Sequence, residues 1–570
     1  PRKPEVALMA KEINKVKTGA NAVVYVLFAI GCLIAANLIF TRLFKRIDLT
    51  QDHIYTLSPA SKDLVAKLPD VLQVKAFISK DLQPPFSQSA QYVRDILDEY
   101  AHASKGKLKW EAIDPGEDAK LEEEATKLKV PKMRRGRISN NKVEIGASYL
   151  GVALSYQGNT ESIPEVNQTE GLEFEIDKRI RILTQKKTKI AFATSEGELS
   201  TAAGPQGQGG GLSALKQYMD FYDAVPTDLK GKQLPDDVAA LVIAGPKQPM
   251  SERAKFVVDQ FLMKGKSVAL FVDGMTFETP QQMQIPGQTT PPQIGRKNDA
   301  GLDDLLAHYG FKVGDDVILE PQKNVPGPLM VEGQMQLGNY PTFLVTDSIA
   351  KSSPLFEHVD ALIVPFASSV ELLKDNKAQS GLVYTQLAQS SDKAWRQKGF
   401  FLLNPTVALK PADDKGPFAL GYTAEGKFKS FFAGKPFPNE KGEKVTATPN
   451  ASLPPDADKP IDEAQAPGRL VVIGSSNVVS DMYIAGVSRY VPVYQIDLAF
   501  ALNVMDWLAQ DKALSSIRAK AITQRPITYA SESTPLVLEA VNIVGVPLLF
   551  ILFGVVRWRI RYARRQHAKI

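Results

Sequence analysis

Two long apolar runs, one near each end of the chain, are the strongest feature of its hydrophobic pattern. They predict helices over residues 22–43 and 535–556. A bilayer core of about 30 Å is spanned by about 20 apolar residues of helix, and both runs reach that length. The first run is longer than the apolar part of a cleaved signal peptide. The pattern therefore predicts two transmembrane helices with most of the chain between them.

Basic residues flank the two predicted spans on their outer sides. Cytoplasmic flanks collect Lys and Arg, so residues 1–21 and 557–570 are predicted to be cytoplasmic tails. Residues 47–530 then lie across a bacterial inner membrane, in the periplasm, since long domains are translocated regardless of their own charge. The basic residues are Arg2, Lys3, Lys11, Lys15 and Lys17 before the first span, and Arg557, Arg559, Arg561, Arg564, Arg565 and Lys569 after the second.

Residues 47–185 alternate between strand and helix periods in the order β-α-β-α-β-β-α. That order resembles a thioredoxin-like α/β domain, but the segment has no Cys-x-x-Cys, so redox chemistry is excluded. The two last strands are predicted to form a hairpin that turns at residues 157–159. The predicted strands are Val71–Ile78, Lys107–Ile113, Lys142–Tyr156 and Thr160–Val166, and the predicted helices are Ser89–Ala103, Asp118–Leu128 and Glu170–Leu183.

Residues 186–520 predict a second α/β domain, in which continuous apolar strands alternate with helices. Such strands are typical of a parallel sheet that is covered on both faces. Loop insertions are predicted near residues 279–297 and 446–468, and a linker over residues 521–534. The predicted strands are Lys189–Thr194, Ala239–Ala244, Ser267–Val272 and Arg469–Ile473, and the predicted helices are Leu212–Phe221, Ser251–Met263, Gly301–Tyr309 and Ile496–Leu508.

Composition and charge exclude several classes of function. A formal net charge of +5 on 570 residues is too diffuse for a nucleic-acid partner, and none is predicted. The single cysteine, Cys32, lies in the first predicted span, so the region between the spans has no disulfide, thiolate metal site or cysteine nucleophile. The five histidines lack ligand spacing, so no metal is predicted.

Neither glycine-rich segment fits a phosphate-binding loop. Gly265-Lys266-Ser267 matches the end of the P-loop pattern, but Gln260 stands where its first glycine is required. The loop Gly204–Gly211 has glycines at the wrong spacing for a dinucleotide fold. No nucleotide or other cofactor is therefore predicted, and any ATP hydrolysis must come from another subunit.

Two polar clusters follow the first and last predicted strands of the second domain. Open α/β sheets bind ligands beyond the carboxyl ends of their strands. If the two strands are neighbours, both clusters line one crevice. The alternative is ordinary turn and cap chemistry, and no residue is predicted to be catalytic. The candidate crevice residues are Ser195, Glu196, Gly197, Glu198, Ser475, Ser476, Asn477 and Asp481.

Short motifs spread along the chain carry a family resemblance. They lie at Asp48–Ala60, Ile78–Leu82, Val93–Tyr100, Ile113–Pro115, Gly301–Val313, Val364–Ser369, Arg469–Asp481, Leu502–Leu508 and Ile517–Lys520. Because these motifs occur in this order, the chain resembles the GldG-type auxiliary subunits of gliding-associated ABC transport systems. The strand-exit motif Gly-His-Gly-Glu of that family reads Ser195–Glu198 here, without the histidine.

The resemblance implies a non-catalytic auxiliary subunit beside an ABC-2-type membrane permease and a cytoplasmic ABC ATPase, with a role in gliding motility. It also implies that the second domain is similar to flavodoxin-like or class I amidotransferase-like sheets. The periplasmic region would bind substrate, or periplasmic or outer-envelope proteins. Two alternatives remain open. One is an envelope hydrolase that uses Glu196, Glu198 and Asp481, and the other is a stand-alone membrane-tethered scaffold or adhesion module.

Polar residues inside the predicted spans are candidates for contact with the permease. Asn37 lies in the first span, and Glu539 and Asn542 lie in the second. Polar groups at membrane depth are tolerated where they face protein or water. Pro547 is predicted to kink the second span. The alternative is a glutamate at the membrane interface and a kink without consequence.

Overall fold

The computed structural model describes most of the region between the predicted spans. The described residues are 28, 31, 56–116, 118–139, 142–167, 169, 171–202, 211–278, 293–331, 334–357, 359–373, 379–403, 411–446, 458–486, 495–510, 543 and 546–567. The chain divides into two compact units, Pro1–Ala521 and Ile522–Ile570. No helix within the described residues combines the length and the apolar character needed to cross a bilayer. Most of the two predicted spans lies outside these residues.

The first part of the larger unit is a small α/β layer. Capping fixes its helix starts: the Ser58 hydroxyl accepts the N–H of Ser61 at the start of α1, and Asp118 does the same for Lys120 at the start of α3. The elements are α1 (Pro59–Ala66), β1 (Leu72–Ile78), α2 (Phe86–Ala103), β2 (Leu108–Ile113), α3 (Ala119–Lys127), β3 (Met133–Ser139), β4 (Lys142–Ser148), β5 (Leu150–Tyr156), β6 (Asn159–Ile163) and α4 (Leu172–Thr184).

Four of these strands form a sheet in the order β2-β1-β5-β6. Strand β1 runs parallel to β2 and antiparallel to β5. The predicted hairpin is confirmed, because Tyr156 pairs with Asn159 across Gln157 and Gly158, which both have positive φ. The prediction of one strand over residues 142–156 is wrong, because this segment forms two strands, β4 and β5, and β4 pairs with β3. The arginines of β3 obscure the apolar alternation from which a strand could have been predicted.

The second part contains the larger sheet and a long β-rich insertion. Its elements up to the insertion are β7 (Thr188–Ala193), α5 (Ser213–Tyr218), β8 (Tyr222–Thr227), β9 (Val238–Ala244), α6 (Glu252–Met263) and β10 (Ser267–Phe271). Its last elements are β22 (Ala419–Gly426), β23 (Phe437–Pro438), β24 (Lys444–Val445), β25 (Gly468–Ile473), a 3-10 turn (Asn477–Val479), a π-turn (Met482–Gly486) and α8 (Gln495–Leu508).

The insertion consists mainly of strands in several small sheets, while its strand β19 belongs to the larger sheet. Its elements are β11 (Met275–Glu278), β12 (Gln293–Lys297), α7 (Asp303–His308), β13 (Phe311–Val313), β14 (Asp316–Leu319), β15 (Asn324–Val331), β16 (Gln334–Thr346), a 3-10 turn (Pro354–Phe356), β17 (Leu362–Pro365), β18 (Val370–Leu372), β19 (Val383–Gln389), β20 (Trp395–Lys398) and β21 (Phe401–Leu403). The predicted loop at residues 279–297 is wrong at its end, because β12 pairs with β11 and β21.

The larger sheet has seven strands in the order β19-β22-β25-β10-β9-β7-β8. The five strands from β25 to β8 are parallel. Strands β22 and β19 are antiparallel, so the prediction of a purely parallel sheet is wrong at this edge. These two strands were not among the predicted strands, and in β19 the polar residues Thr385, Gln386 and Gln389 interrupt any apolar run.

Both faces of the sheet are covered, as predicted. Along β7, Ile190 and Phe192 join one apolar cluster with α5 and α8, whereas Ala191 and Ala193 join a second cluster with α6 and α7. Successive strand residues point to opposite faces, so this division requires a layer on each side. The sheet is therefore buried, and its strand ends remain as the places where ligands can approach.

The smaller unit contains one described helix, α9 (Val546–His567). Its first half is apolar, and its second half contains Arg557, Arg559 and Arg561. Leu552, Phe553 and other apolar side chains of this helix are exposed. Pro547 is the second described residue of α9, and the two residues before Val546 lie outside the described part of the chain, so its predicted kink stays a prediction.

Candidate functional site

Glu196 leaves β7 and is buried at the N-terminal end of α6. Its carboxylate accepts the N–H of Ser251 at 3.4 Å and pairs with the Lys230 ammonium at 3.1 Å. Its own carbonyl oxygen accepts the N–H groups of Lys247 and Gln248. Negative charge is stabilised at a helix N-terminus, where backbone N–H groups lack partners. Glu196 therefore links the end of β7 to α6, and its carboxylate already has a hydrogen-bond donor and an ion-pair partner.

Glu198 folds back onto the same loop. One carboxylate oxygen accepts the N–H of Glu196 at 2.6 Å, while the other is buried without a hydrogen-bond partner in the described residues. Burial raises the pKa of Glu198, and the backbone hydrogen bond from Glu196 opposes that rise. The turn between them needs Gly197, whose φ is 77°. The hydroxyl of Ser195 is also buried without a partner in the described part of the chain.

Ser476 is tied to the exit of the neighbouring strand β10. Its N–H and its hydroxyl donate to the two carboxylate oxygens of Asp273 at 2.7 and 2.6 Å. Burial raises the pKa of Asp273, and the two hydrogen bonds from Ser476 oppose the rise. Sequence reasoning did not select Asp273, although an acidic residue directly after a buried parallel strand was a usable signal.

Ser475 and Asn477, in the same loop, differ in whether their side chains make hydrogen bonds. Ser475 is fully buried, donates its hydroxyl to the carbonyl oxygen of Pro365 at 2.6 Å and accepts the N–H of Asn477 at 3.2 Å. The side-chain amide of Asn477 is half-buried and makes no hydrogen bond within the described residues. Asn477 is therefore a crevice candidate whose polar side chain is available to a partner.

Asp481 caps helix α5. One of its carboxylate oxygens accepts the N–H and the hydroxyl of Ser213 at 2.8 and 2.6 Å, and the other accepts the N–H of Ala214 at 2.7 Å. Its backbone N–H donates to the carbonyl oxygen of Gly211. These contacts join the loop after β25 to the helix after β7. The three carboxylates of the hydrolase alternative thus each hold backbone N–H groups.

The two predicted clusters do not follow neighbouring strands, because β10 and β9 lie between β25 and β7. They are nevertheless brought together over the end of β9. A side chain at Gly245 would place its Cβ 2.9 Å from the Ser476 hydroxyl and 3.5 Å from a carbon of Leu199. Leu199 also donates its N–H to the carbonyl oxygen of Ala244. We call this meeting of residues 195–201 with residues 474–481 the crevice.

Four buried side-chain oxygens in the crevice loops lack a hydrogen-bond partner in the described part of the chain. They are the hydroxyls of Ser195, Thr201 and Ser480 and one carboxylate oxygen of Glu198. Buried polar atoms in native proteins are nearly always paired, and exceptions concentrate where a ligand, ion or water completes the site. Three hydroxyls and a carboxylate offer both donors and acceptors, which suits a polar, hydroxyl-bearing or amide-bearing partner.

A cavity of about 310 Å³ lies beside the crevice, at the end of β10. Leu302, Leu306 and Phe311 form apolar parts of its lining, and Lys312 and Asp315 are charged residues of the lining. A volume of this order accommodates a small ligand or one large side chain of a partner. The cavity was missed from the sequence because β13, which contributes to its lining, is a strand of only three residues and was not predicted.

Two sets of candidates have other outcomes. Asn37, Glu539 and Asn542 lie outside the described residues, so their contact with a permease stays a prediction. Among the described residues no group of three or more His, Cys, Asp or Glu side chains has the arrangement of a metal site.

Comparison with known proteins assigns the region that contains the crevice. A family described as an ABC-type uncharacterized transport system, of the ABC transport auxiliary type, matches residues 187–503. The chain belongs to this ABC transport auxiliary family. Its match covers the seven-stranded sheet, the insertion and both crevice loops. A domain of unknown function (DUF7088) matches residues 51–155, in the smaller α/β layer.

Two individual proteins are similar to this auxiliary-family chain. A Borreliella burgdorferi protein described as uncharacterized is 24% identical over 551 residues, covering 94% of this chain and 95% of its own length. Among solved structures, the mmIFT52 N-terminal domain aligns with a TM-score of 0.29 and 12% identity, covering 57% of this chain and 98% of that domain. The family assignment supports a transport-associated auxiliary role, and the GldG type stays a prediction.

Proposed function

We propose that the chain is a non-catalytic, membrane-anchored auxiliary subunit of an ABC-2-type transporter. In this proposal both termini are cytoplasmic, and the region that contains the crevice is periplasmic. The crevice binds substrate or an envelope protein, and the spans contact a permease that works with a cytoplasmic ABC ATPase. Gliding motility is one process that such a complex could serve.

The observation that carries the proposal is the family match, which includes the whole sheet and both crevice loops. The unpartnered oxygens of Ser195, Glu198, Thr201 and Ser480 support a binding role for that region. The exposed apolar half of α9, followed by arginines, supports a membrane anchor, because such a boundary is typical of a cytoplasmic membrane interface.

The hydrolase alternative has less support from the crevice. General acid–base catalysis needs carboxylates that face a substrate and exchange protons with it. The carboxylate of Glu196 is engaged by Ser251 and Lys230, and that of Asp481 by Ser213 and Ala214. Glu198 alone keeps an unpartnered oxygen. Full cellular function of a Glu198→Gln variant would remove the hydrolase alternative, and loss of function with a stable complex would favour it.

The test of the proposal is gentle detergent purification of the tagged full chain from its native host, followed by mass spectrometry. A multi-span permease and a Walker-motif ATPase in a stable ratio would support the auxiliary-subunit role. A chain that purifies alone, or only with periplasmic proteins, would contradict it and favour the scaffold alternative.

An Asn477→Ala variant separates binding from assembly in the same experiment. Its side-chain amide makes no hydrogen bond within the described residues, so its removal leaves the loop contacts in place. We expect the permease and ATPase to co-purify as before, with reduced transport-dependent function. Loss of the complex itself would mean that the crevice takes part in assembly.

A further inference from the structure

The buried hydroxyl of Ser61 on helix α1 contacts two carboxyl groups of α4. The Ser61 oxygen lies 2.6 Å from a carboxylate oxygen of Glu173 and 2.6 Å from a carboxylate oxygen of Asp177. It also lies 2.7 Å from the Ser58 hydroxyl. Ser61, Glu173 and Asp177 are all buried. One hydroxyl thus bridges two acidic groups that are shielded from water.

Counting protons shows that this arrangement needs a neutral carboxyl group. A serine hydroxyl has one proton, so Ser61 can donate to only one of its two acidic neighbours. The second carboxyl oxygen can remain at 2.6 Å from the Ser61 oxygen only if it carries a proton and donates it. Two charged carboxylates would place an oxygen lone pair against a lone pair.

The surrounding donors decide which carboxyl group holds the proton. Glu173 accepts the backbone N–H of Ser58 at 2.7 Å through the same oxygen that contacts Ser61, which favours its charged form. Asp177 accepts the hydroxyl of Tyr100 at 2.7 Å through its other oxygen. The oxygen of Asp177 that faces Ser61 is therefore the one that carries the proton.

The titratable groups around Asp177 come from two helices. On its own helix, α4, they are Glu173 and Arg181, and on α2 the group is Tyr100, while α1 contributes only hydroxyls. Burial, with a smaller contribution from the negative charge of Glu173, raises the pKa of Asp177 to about 7. Hydrogen bonds from Ser61 and Tyr100 and the charge of Arg181 oppose the rise.

We propose that the proton on Asp177 holds α1 against α4, and that its loss at higher pH releases α1. Loss of the proton leaves two adjacent carboxylates around one hydroxyl, and their repulsion is relieved when α1 moves away. Helix α1 is the first described helix and follows the segment that contains the first predicted span. The contact therefore makes the attachment of that segment to the α/β layer sensitive to pH.

The sign of the pH dependence follows from the change in pKa. The pKa of Asp177 is higher in the docked state, about 7, than the ordinary value of 3.8 for a solvated carboxyl group. Docking is therefore most stable at low pH, and it weakens as pH rises through that window. Because one proton is released on opening, the opening equilibrium increases by up to about tenfold per pH unit and levels off above about pH 7.

Hydrogen exchange of the full chain, measured by mass spectrometry on peptides from residues 57–67, tests the proposal. After correction for intrinsic exchange, we expect protection of α1 to fall with pH in the wild-type protein. An Asp177→Asn variant should show no such fall, because its amide donates to Ser61 at every pH. The exposed carboxyl group of Asp63, also on α1, provides the matched control, and Asp63→Asn should behave as wild type.

A second variant keeps the test decisive if Asp177→Asn does not fold. Glu173→Gln removes the neighbouring charge, so the fall in protection should move to lower pH. The infrared carbonyl band of the protonated Asp177 carboxyl group should disappear as pH rises through about 7, where the fall in protection levels off. A wild-type protein without this pH dependence, an equal slope in Asp177→Asn, or an unchanged midpoint in Glu173→Gln would each overturn the proposal.

Discussion

Tyr309 donates its hydroxyl to Asp259 at 2.5 Å, and both residues are fully buried. The same carboxylate accepts the backbone N–H of Phe431 and the hydroxyl of Ser430, each at 2.6 Å. Asp259 lies on α6, Tyr309 follows α7, and residues 430–431 follow β22. One carboxylate thus joins three segments on one face of the sheet. Burial raises the pKa of Asp259, and these donors oppose the rise.

Tyr309→Phe removes one donor and leaves the buried carboxylate of Asp259 less well satisfied. We expect the free energy of unfolding to fall by about 1–3 kcal/mol, the usual cost of losing a hydrogen bond to a buried charged group. Urea denaturation of the full chain measures the change. Tyr384→Phe is the control, because its hydroxyl donates to a carbonyl oxygen at 3.0 Å and its loss should cost less. Equal effects would contradict this assignment.

Asp481→Ala should destabilise the contact between the loop after β25 and α5. The variant loses three hydrogen bonds that cap the first turn of α5, so we expect a loss of about 1–2 kcal/mol. The midpoint of urea denaturation is the measurement. Ser480→Ala is the adjacent control, and it should change stability little because its buried hydroxyl has no partner among the described residues. An Asp481→Ala variant with an unchanged midpoint of denaturation would show that the cap contributes nothing to stability.

Gly274→Ala should prevent correct folding of the insertion onto the sheet. An added Cβ would lie 1.8 Å from the carbonyl oxygen of Gly314, so one of the two backbones must move. We expect a loss above about 4 kcal/mol, seen as a low yield of soluble, folded chain. At Gly231 an added Cβ meets nothing within 4 Å, so Gly231→Ala should give a normal yield. Normal folding of Gly274→Ala would contradict the close approach.

Asp497 near the start of α8 should make stability depend on pH. Its side chain is fully buried, one oxygen accepts the N–H of Ile363 at 3.1 Å, and the other has no partner in the described part of the chain. Burial raises its pKa well above the usual value of 3.8. The neutral form is therefore favoured in the fold, and stability falls as pH rises above the unfolded value.

Asp497→Asn removes that charge while keeping an acceptor for Ile363. We expect its Tm, relative to wild type, to increase from pH 5 to pH 8, as measured by calorimetry on the full chain. Asp63→Asn, at an exposed carboxyl group, should leave the difference between the two pH values unchanged. A constant Tm difference between Asp497→Asn and wild type at both pH values would exclude a titrating Asp497.

The sequence predicted the elements that depend on local signals. Ser251 caps α6 as expected, since its hydroxyl accepts the N–H of Ala254, and β9 and β10 are the continuous apolar runs of a buried sheet. Strand order could not be predicted in this way, because it depends on pairing between segments that are distant in the sequence. The pattern could not show that β10 and β9 separate β25 from β7.

The candidate site shows the same division. Glu196, Ser476 and Asp481 were found because polar residues at strand exits are visible in a sequence. Their partners were not, because Asp273, Lys230 and Ser213 become neighbours only when loops from different strands meet. The cavity beside the crevice depends on β13 of the insertion, a strand of three residues that carries too little pattern to be recognised.

The placement of β25 sets the order in which the protein can be completed. This strand lies inside the seven-stranded sheet, against β10, yet it is among the last elements of its domain to be synthesised. Until residues 468–473 emerge from the ribosome, β10 has an open edge that can pair with another chain. A chaperone that shields this edge would therefore protect the protein during its synthesis. Products truncated before Gly468 should aggregate or be degraded.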